Sequence, residues 1–133
     1  MTGLTREVAD FIAAVSPEKV PDTLKDAAKS GMTDCVAVMI AGSGEDSVHL
    51  VSELVSPTAK TEGSAPLIPA GTLYAAPDAA FVNGVAAHAL DYDDVGMDGH
   101  PSVVLTPAIL AEGWALGASG EAALAAYVAG YEV

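Results

Sequence analysis

Two of the three histidines and four aspartates of this 133-residue sequence fall within thirteen consecutive positions. The cluster consists of His88, Asp91, Asp93, Asp94, Asp98 and His100. An imidazole beside a carboxylate can hold a defined tautomer and exchange a proton near neutral pH. The spacing therefore indicates acid–base chemistry, and the alternative interpretation is an acidic loop that is simply solvated.

The residues around this cluster are expected to bring its members together. His88 and Asp91 are three positions apart, which places them on one face if the preceding helix continues through them. Gly96 and Gly99 give the following backbone the freedom to bend, so that His100 can return toward the aspartates. The sequence predicts that the two histidines and the carboxylates share one site.

Apolar residues recur at helical spacing along most of the chain, and aromatic residues make up only 5% of it. Such a composition favours closely packed helices, so we predict an all-α helical bundle. Proline and glycine are frequent in residues 56–77, which predicts a long connection with a short extended piece at Leu67–Ile68. The helical pattern runs to Val133 without a stop signal, so we expect 1–133 to be a fragment of a larger helical domain. The predicted helices are 4–15, 21–41, 46–55, 78–90, 101–117 and 119–133.

The charge distribution excludes several classes of partner. Five basic residues against eighteen acidic ones give a net charge of −13, and residues 61–133 contain nine acids and no Lys or Arg. Nucleic acid and anionic membrane surfaces are excluded as partners, because both require clustered cations. No segment is long and apolar enough for a membrane span or a signal peptide, so we expect a cytoplasmic location.

A magnesium site is the alternative use of the carboxylates. Asp93 and Asp94, followed by Asp98, faintly resemble the acidic motif of helical isoprenoid synthases. Those sites also clamp diphosphate with Arg or Lys, which this half of the chain lacks. We therefore predict no metal, and an acidic magnesium-binding helical protein remains as an alternative.

A further signal comes from six segments: Ala80–Asp94, Gly99–Ser102, Thr106–Ala111, Thr33–Val38, Gly42–Ser43 and Tyr127–Val133. They resemble the MmgE/PrpD family, which contains 2-methylcitrate dehydratase, cis-aconitate decarboxylase and iminodisuccinate epimerase. The resemblance implies the all-helical domain of that family, without the α+β domain that usually completes it, and a homodimer.

The resemblance also implies cofactor-free proton removal next to a carboxylate of a small di- or tricarboxylic acid. Asp91 and His100 match the active-site Asp and His of the family, and they are expected to orient the substrate and transfer protons. His88, Asp94 and Ser102 are predicted to bind the substrate. The implied enzyme is a lyase or isomerase.

Two departures from the family pattern bear on the reaction. Val95 stands where the decarboxylase branch has Thr, and the span from Asp94 to His100 is slightly shorter than in that branch. Both favour dehydration or epimerisation over decarboxylation.

The missing cations bear on the completeness of the site. An anionic substrate needs positive charges to offset its desolvation, and residues 61–133 offer none. We therefore expect another segment, or a second chain, to complete the site. The alternative is a non-catalytic helical interaction module left from such an enzyme.

Overall fold

The computed structural model describes residues 3–55, 57, 63–96 and 98–133. Within these ranges the predicted helical class is confirmed, with the addition of two antiparallel strands of three residues each. A short 3-10 turn at Pro17–Lys19 precedes the second helix. The helices are α1 (Leu4–Ala14), α2 (Asp22–Gly42), α3 (Asp46–Leu54), α4 (Ala76–His88), α5 (Pro101–Leu116) and α6 (Gly120–Tyr131), and the strands are β1 (Ser64–Pro66) and β2 (Leu73–Ala75).

The main hydrophobic core lies between α2 and α4. Cys35 and Met39 of α2 are fully buried and pack in one cluster with Val82 and Ala86 of α4. Their removal from water is the dominant favourable contribution to folding. The two backbones approach closely at Gly42, because a Cβ at that position would collide with the carbonyl oxygen of Ala86. Small residues thus allow the close packing that the alanine-rich sequence predicts.

The helix α5 packs beside α4 and contains a proline in its interior. Pro107 has no N–H, so the carbonyl of Val103, one turn earlier, loses its usual helical partner. That carbonyl faces Gly84 of α4, where an added Cβ would lie 3.8 Å from it. The helix begins at Pro101, where a proline in the first turn costs no hydrogen bond.

The two strands form a small sheet that is tied to α4 by a buried amide. Asn83 is only 2% exposed, and its Oδ1 accepts a hydrogen bond of 3.0 Å from the Ile68 N–H. Its Nδ2 donates to the Pro66 carbonyl over 3.1 Å. An extended piece was expected at Leu67–Ile68, but these residues lie in the turn that connects the two strands. The extended residues are those of β1 and β2, before and after this turn. Residues 56 and 58–62 of the predicted connection lie outside the described residues.

The boundaries of α4 differ from the predicted 78–90 in a way that matters for the site. The helix begins two residues earlier, at Ala76, because Pro77 is tolerated in the first turn. It ends at His88, and Asp91 has a φ of 53° in the left-handed region. The residues after His88 therefore leave the helix axis and form a separate loop.

The outer helices leave apolar side chains on the surface. No residue of α1 is buried, and its Phe11 and Ile12 are 43% and 48% exposed. On α5, Trp114 is 62% exposed. No helix among the described residues combines the length and the apolarity that crossing a bilayer requires.

Candidate functional site

A short loop between α4 and α5 carries the chemistry-bearing residues. Gly96 and Gly99 exchange reciprocal backbone hydrogen bonds of 2.9 Å, which closes the loop as a tight hairpin. Asp98, within this hairpin, has a φ of 61°, a conformation that aspartate tolerates better than most residues. The hairpin returns the chain to His100, directly before the first turn of α5. The predicted bend is thus present, and it places His88 and His100 side by side.

The carboxylate of Asp93 lies between these two histidines. Its Oδ1 is 3.0 Å from His88 Nδ1, and its Oδ2 is 3.2 Å from His100 Nδ1. The Asp93 side chain is 0% exposed, whereas the side chains of His88 and His100 are 47% and 24% exposed. The imidazole rings meet edge to face, with their centroids 4.5 Å apart. A buried carboxylate therefore holds two partly exposed imidazoles.

The opposite edges of both rings face Asp91. The Asp91 Oδ1 lies 4.0 Å from His88 Nε2 and 3.6 Å from His100 Nε2. The Asp91 side chain is 77% exposed, so a small molecule can approach these three atoms from solvent. Groups of this kind can accept, hold and return a proton, which is the chemistry that the spacing predicts.

The contact between His100 and Asp93 is short but not aligned as a hydrogen bond. Both His100 Nδ1 and Asp93 Oδ2 are shielded from solvent, and neither has another hydrogen-bond partner among the described residues. Leaving a buried polar group unpaired costs about 1–3 kcal/mol. Since they lie 3.2 Å apart and neither has another partner among the described residues, we infer that these two atoms are partners.

The remaining two predicted residues, Asp94 and Ser102, bind each other. Asp94 Oδ1 accepts the backbone N–H of Ser102 over 3.1 Å, and Oδ2 accepts the Ser102 hydroxyl over 2.7 Å. Since Ser102 lies in the first turn of α5, Asp94 caps this helix from the preceding loop. The Ser102 hydroxyl also meets the Tyr127 hydroxyl of α6 at 2.5 Å. Substrate binding by Asp94 and Ser102 stays a prediction.

Burial changes the acidity of two groups close to this hydrogen-bonded chain. It raises the pKa of the Cys35 thiol from 9.0 to about 11, because the charged thiolate would be removed from water. The pKa of Tyr127 is also raised, chiefly by burial, although its hydrogen bond with Ser102 acts in the opposite direction. Both groups therefore remain protonated at neutral pH. The Cys35 thiol donates to the Ser102 carbonyl over 3.4 Å, which is a structural contact.

Among the described residues, the side chains that could together hold a metal ion are those of this same site. His88, Asp91, Asp93 and His100 each offer one ligand atom, and these atoms lie within 4.8 Å of one another. Two imidazoles and two carboxylates suit zinc or a similar transition metal, whereas Mg²⁺ prefers oxygen ligands alone. The acidic motif considered for magnesium does not assemble as such, because Asp94 pairs with Ser102.

Two residues of this region were given no individual role from the sequence. Asp93 was counted only as a member of the cluster, and nothing in its spacing distinguishes it from the other aspartates. Tyr127 lies 25 positions from the Ser102 hydroxyl that it contacts, so its spacing gives no indication of that contact. The sequence marks Asp93 and Tyr127 in one way only: both lie in segments that resemble the family.

The chain was compared with protein families, curated proteins and solved structures. Residues 6–133 match the MmgE/PrpD N-terminal domain. No curated protein and no solved structure matches the chain.

Proposed function

The chain belongs to the MmgE/PrpD family, as its N-terminal domain, and on that premise we propose that it forms part of an active site. The proposed site moves a proton next to a carboxylate of a small di- or tricarboxylic acid. Asp91 and His100 are assigned to orienting the substrate and transferring the proton, without a cofactor. The reaction is dehydration or epimerisation in preference to decarboxylation.

The position of His88 and His100 between the buried Asp93 and the exposed Asp91 carries this proposal. The Nε2 atoms of the two histidines lie 3.6–4.0 Å from Asp91 Oδ1 on a partly exposed surface. A proton acceptor has to reach the reacting carbon directly, and partial exposure permits that approach. A merely solvated acidic loop would have no reason to bury the Asp93 side chain completely.

The charge of the region supports the need for another segment or chain. Asp91, Asp93 and Asp94 repel an anionic substrate, and residues 61–133 carry no Lys or Arg to offset them. Removal of a proton next to a carboxylate also builds further negative charge, which catalysis has to stabilise with preorganised positive groups or hydrogen-bond donors. We therefore assign these cations to a part of the protein outside residues 61–133, or to a second copy of the chain.

The side chain of Val95 supports the preference among reactions. It is 78% exposed in the loop and offers no hydroxyl to a substrate. The decarboxylase branch of the family that this sequence resembles has Thr at this position, and Thr would supply a hydroxyl. A loop without that donor is better suited to proton transfer at carbon followed by loss of water or return of the proton.

The proposal is tested by proton NMR in D₂O with 2-methylcitrate, citrate, cis-aconitate and iminodisuccinate as substrates. The chain alone and the native assembly that contains it are compared. We expect loss of water, or deuterium incorporation at the carbon next to a carboxylate, in the native assembly and no turnover by the chain alone. Turnover by the purified chain would contradict the need for a second segment.

The role of His100 is tested in the native assembly with His100→Ala and a matched variant, His49→Ala. His49 lies on α3, is exposed, and is the third histidine of the chain. A positioned general base contributes about 10²–10⁴-fold to a rate, so turnover should fall by that factor in His100→Ala and stay unchanged in His49→Ala. Wild-type turnover in His100→Ala would remove this residue from the site.

A non-catalytic interaction module remains the second candidate, and the exposed apolar surface favours it. Leu24 and Val128 line two neighbouring cavities of about 350 and 320 Å³ between the helices α1, α2 and α6. Exposed apolar patches of this kind mark contacts with other polypeptides. A chain that binds its partner while the assembly shows no turnover on any of the acids would favour this second function.

A further inference from the structure

The buried carboxylate between the two histidines has a consequence for both of them. We propose that Asp93 is a positioning residue that holds His88 and His100 in the same tautomer, with the proton on Nδ1. The two Nε2 atoms then form a pair of proton-transfer groups, so His88 takes part in the reaction together with His100. The catalytic part of this inference rests on the proposed function, whereas the tautomers can be measured independently of it.

The tautomers follow from the hydrogen-bonding capacity of the groups. An ionised carboxylate has only acceptors, so each imidazole has to present an N–H to Asp93. The contacts are made by Nδ1 in both cases, at 3.0 Å for His88 and 3.2 Å for His100. A neutral imidazole has one N–H, and with that proton on Nδ1 its Nε2 keeps a free lone pair. The complete burial of the Asp93 side chain keeps water from replacing either contact.

The two Nε2 atoms are directed toward the same place. They lie 4.0 and 3.6 Å from one oxygen of Asp91, which is exposed to solvent and is a predicted substrate-orienting residue. The rings are 4.5 Å apart, so both can reach adjacent atoms of one small substrate. His88, predicted from the sequence to bind substrate, therefore has the same chemical capacity as His100.

The pair completes a dehydration once one of the two rings has taken up a second proton, on Nε2, from solvent. One neutral imidazole accepts the proton from the carbon next to the carboxylate, and the C–H electron pair becomes the new C=C bond. The C–O bond of the neighbouring carbon breaks, and the other imidazole, as imidazolium, gives its Nε2 proton to the departing hydroxyl, which leaves as water. The two rings end with their protonation states exchanged, and transfer of a proton between them or through solvent restores the start.

The tautomers are tested by long-range ¹H–¹⁵N correlation NMR of the ¹⁵N-labelled chain at a pH where the imidazoles are neutral. We expect His88 and His100 to show the Nδ1–H pattern. In Asp93→Asn, the amide oxygen can accept from one ring only, and the amide N–H₂ then donates to the other. One of the two histidines should therefore switch to the Nε2–H tautomer. His49 serves as an internal reference and should not change.

Asp98→Asn is the matched control variant, because it removes one carboxylate from the same loop. The sequence counted Asp98 with the cluster, but the structure leaves it outside the site: it is exposed, and the imidazoles pair with Asp91 and Asp93 instead. Its left-handed φ is one that asparagine also tolerates. It should leave both tautomers and the turnover of the native assembly unchanged. Asp93→Asn should lower kcat at least tenfold with a smaller change in KM, and so should His88→Gln.

Three results would overturn the inference. An Nε2–H tautomer for either loop histidine in the wild-type chain would contradict it, and this measurement needs no variant that has to fold. Retention of both Nδ1–H tautomers in Asp93→Asn would show that another group sets them. Unchanged kcat in His88→Gln would remove His88 from proton transfer. Failure of the proposed function is distinguishable, because the native assembly would then turn over none of the acids even with both tautomers as expected.

Discussion

The hydroxyl oxygens of Ser102 and Tyr127 lie 2.5 Å apart and join the start of α5 to α6. Ser102 also donates its only hydroxyl proton to Asp94, so Tyr127 has to be the donor between the two hydroxyls. Gly31 of α2 makes room for this contact, because a Cβ there would collide with the Tyr127 hydroxyl. Three helices and the site loop thus meet at one directed hydrogen-bond chain.

Removing the middle of this chain should cost more than removing its end. Ser102→Ala leaves both an Asp94 oxygen and the Tyr127 hydroxyl without a partner, and we expect the free energy of unfolding to fall by about 1–3 kcal/mol. Tyr127→Phe leaves the contact between Ser102 and Asp94 in place, and should cost about 0.5–1.5 kcal/mol. Urea unfolding followed by circular dichroism measures both.

The double variant provides the control for this hydrogen-bond chain. Tyr127→Phe should cost less in the Ser102→Ala background than in the wild type, because its partner is already gone. Strictly additive costs would contradict a direct hydrogen bond between the two hydroxyls.

A methyl group at Gly42 should be poorly tolerated. Gly42→Ala places a Cβ against the carbonyl oxygen of Ala86, and backbone cannot move aside as a flexible side chain can. We expect a loss of about 1–3 kcal/mol or more in unfolding free energy. Gly44→Ala is the matched control, since no atom lies within 4 Å of its Cβ. Equal stability of the two variants in thermal unfolding would show that α2 and α4 are farther apart.

The stability of the fold should fall at alkaline pH because of Cys35. Burial raises the pKa of this thiol from 9.0 to about 11, so the unfolded chain loses the proton at lower pH than the folded chain. The unfolded state then binds fewer protons between these values, and the unfolding free energy decreases as pH rises from about 9 to 11. The full decrease is about 3 kcal/mol for a shift of this size. Urea unfolding at a series of pH values measures it.

Cys35→Ala separates this effect from other titrations. The variant should be less stable at neutral pH because of the cavity, but its stability should lack the decrease that the thiol causes at alkaline pH. The raised pKa of Tyr127 acts in the same direction at higher pH and remains in the variant. A parallel pH dependence in wild type and Cys35→Ala would contradict the assignment.

Zinc should bind the site loop, and magnesium should not. Two imidazoles and two carboxylates place ligand atoms within 4.8 Å, a set that suits Zn²⁺ better than Mg²⁺. Isothermal titration calorimetry of the chain should give heat with ZnCl₂ and none with MgCl₂. The native assembly should be inhibited by zinc and restored by EDTA, because the ion occupies the lone pairs that accept protons.

Histidine variants identify where zinc binds. His88→Ala should weaken zinc binding at least tenfold, and His49→Ala should leave it unchanged. Equal binding by both variants would locate the ion outside the loop.

The sequence predicted the helices well because their information is local. Apolar spacing and proline positions indicate a helix without reference to the rest of the chain, and Ser119 is the N-cap of α6, where the last helix was expected to start. The sheet was less accessible, since its position depends on the buried amide of Asn83, which binds residues fifteen and seventeen positions away. The two short strands therefore bracket the extended piece that was predicted.

The sequence predicted that His88, Asp91 and His100 lie close together, but not how they are arranged. His88 and Asp91 do face each other, although through a turn after α4 and not across a helix face, because the left-handed Asp91 ends the helical path. Which of the aspartates is buried could not be predicted, since burial of Asp93 depends on how the hairpin folds over α4 and α5. The Tyr127 contact depends on the packing of α6, which no local pattern encodes.

The hydrogen-bonded pair of Gly96 and Gly99 makes the position of the imidazoles independent of the length of the loop. Its reciprocal hydrogen bonds close the hairpin before the chain reaches His100. Residues inserted between Gly96 and Gly99 would therefore lengthen only the tip of the hairpin. The distance between Asp93 and His100 would then stay as it is. Insertions and deletions at this tip are therefore expected to be silent for catalysis, so the preference among reactions depends on the side chain at position 95 and not on the shorter span from Asp94 to His100.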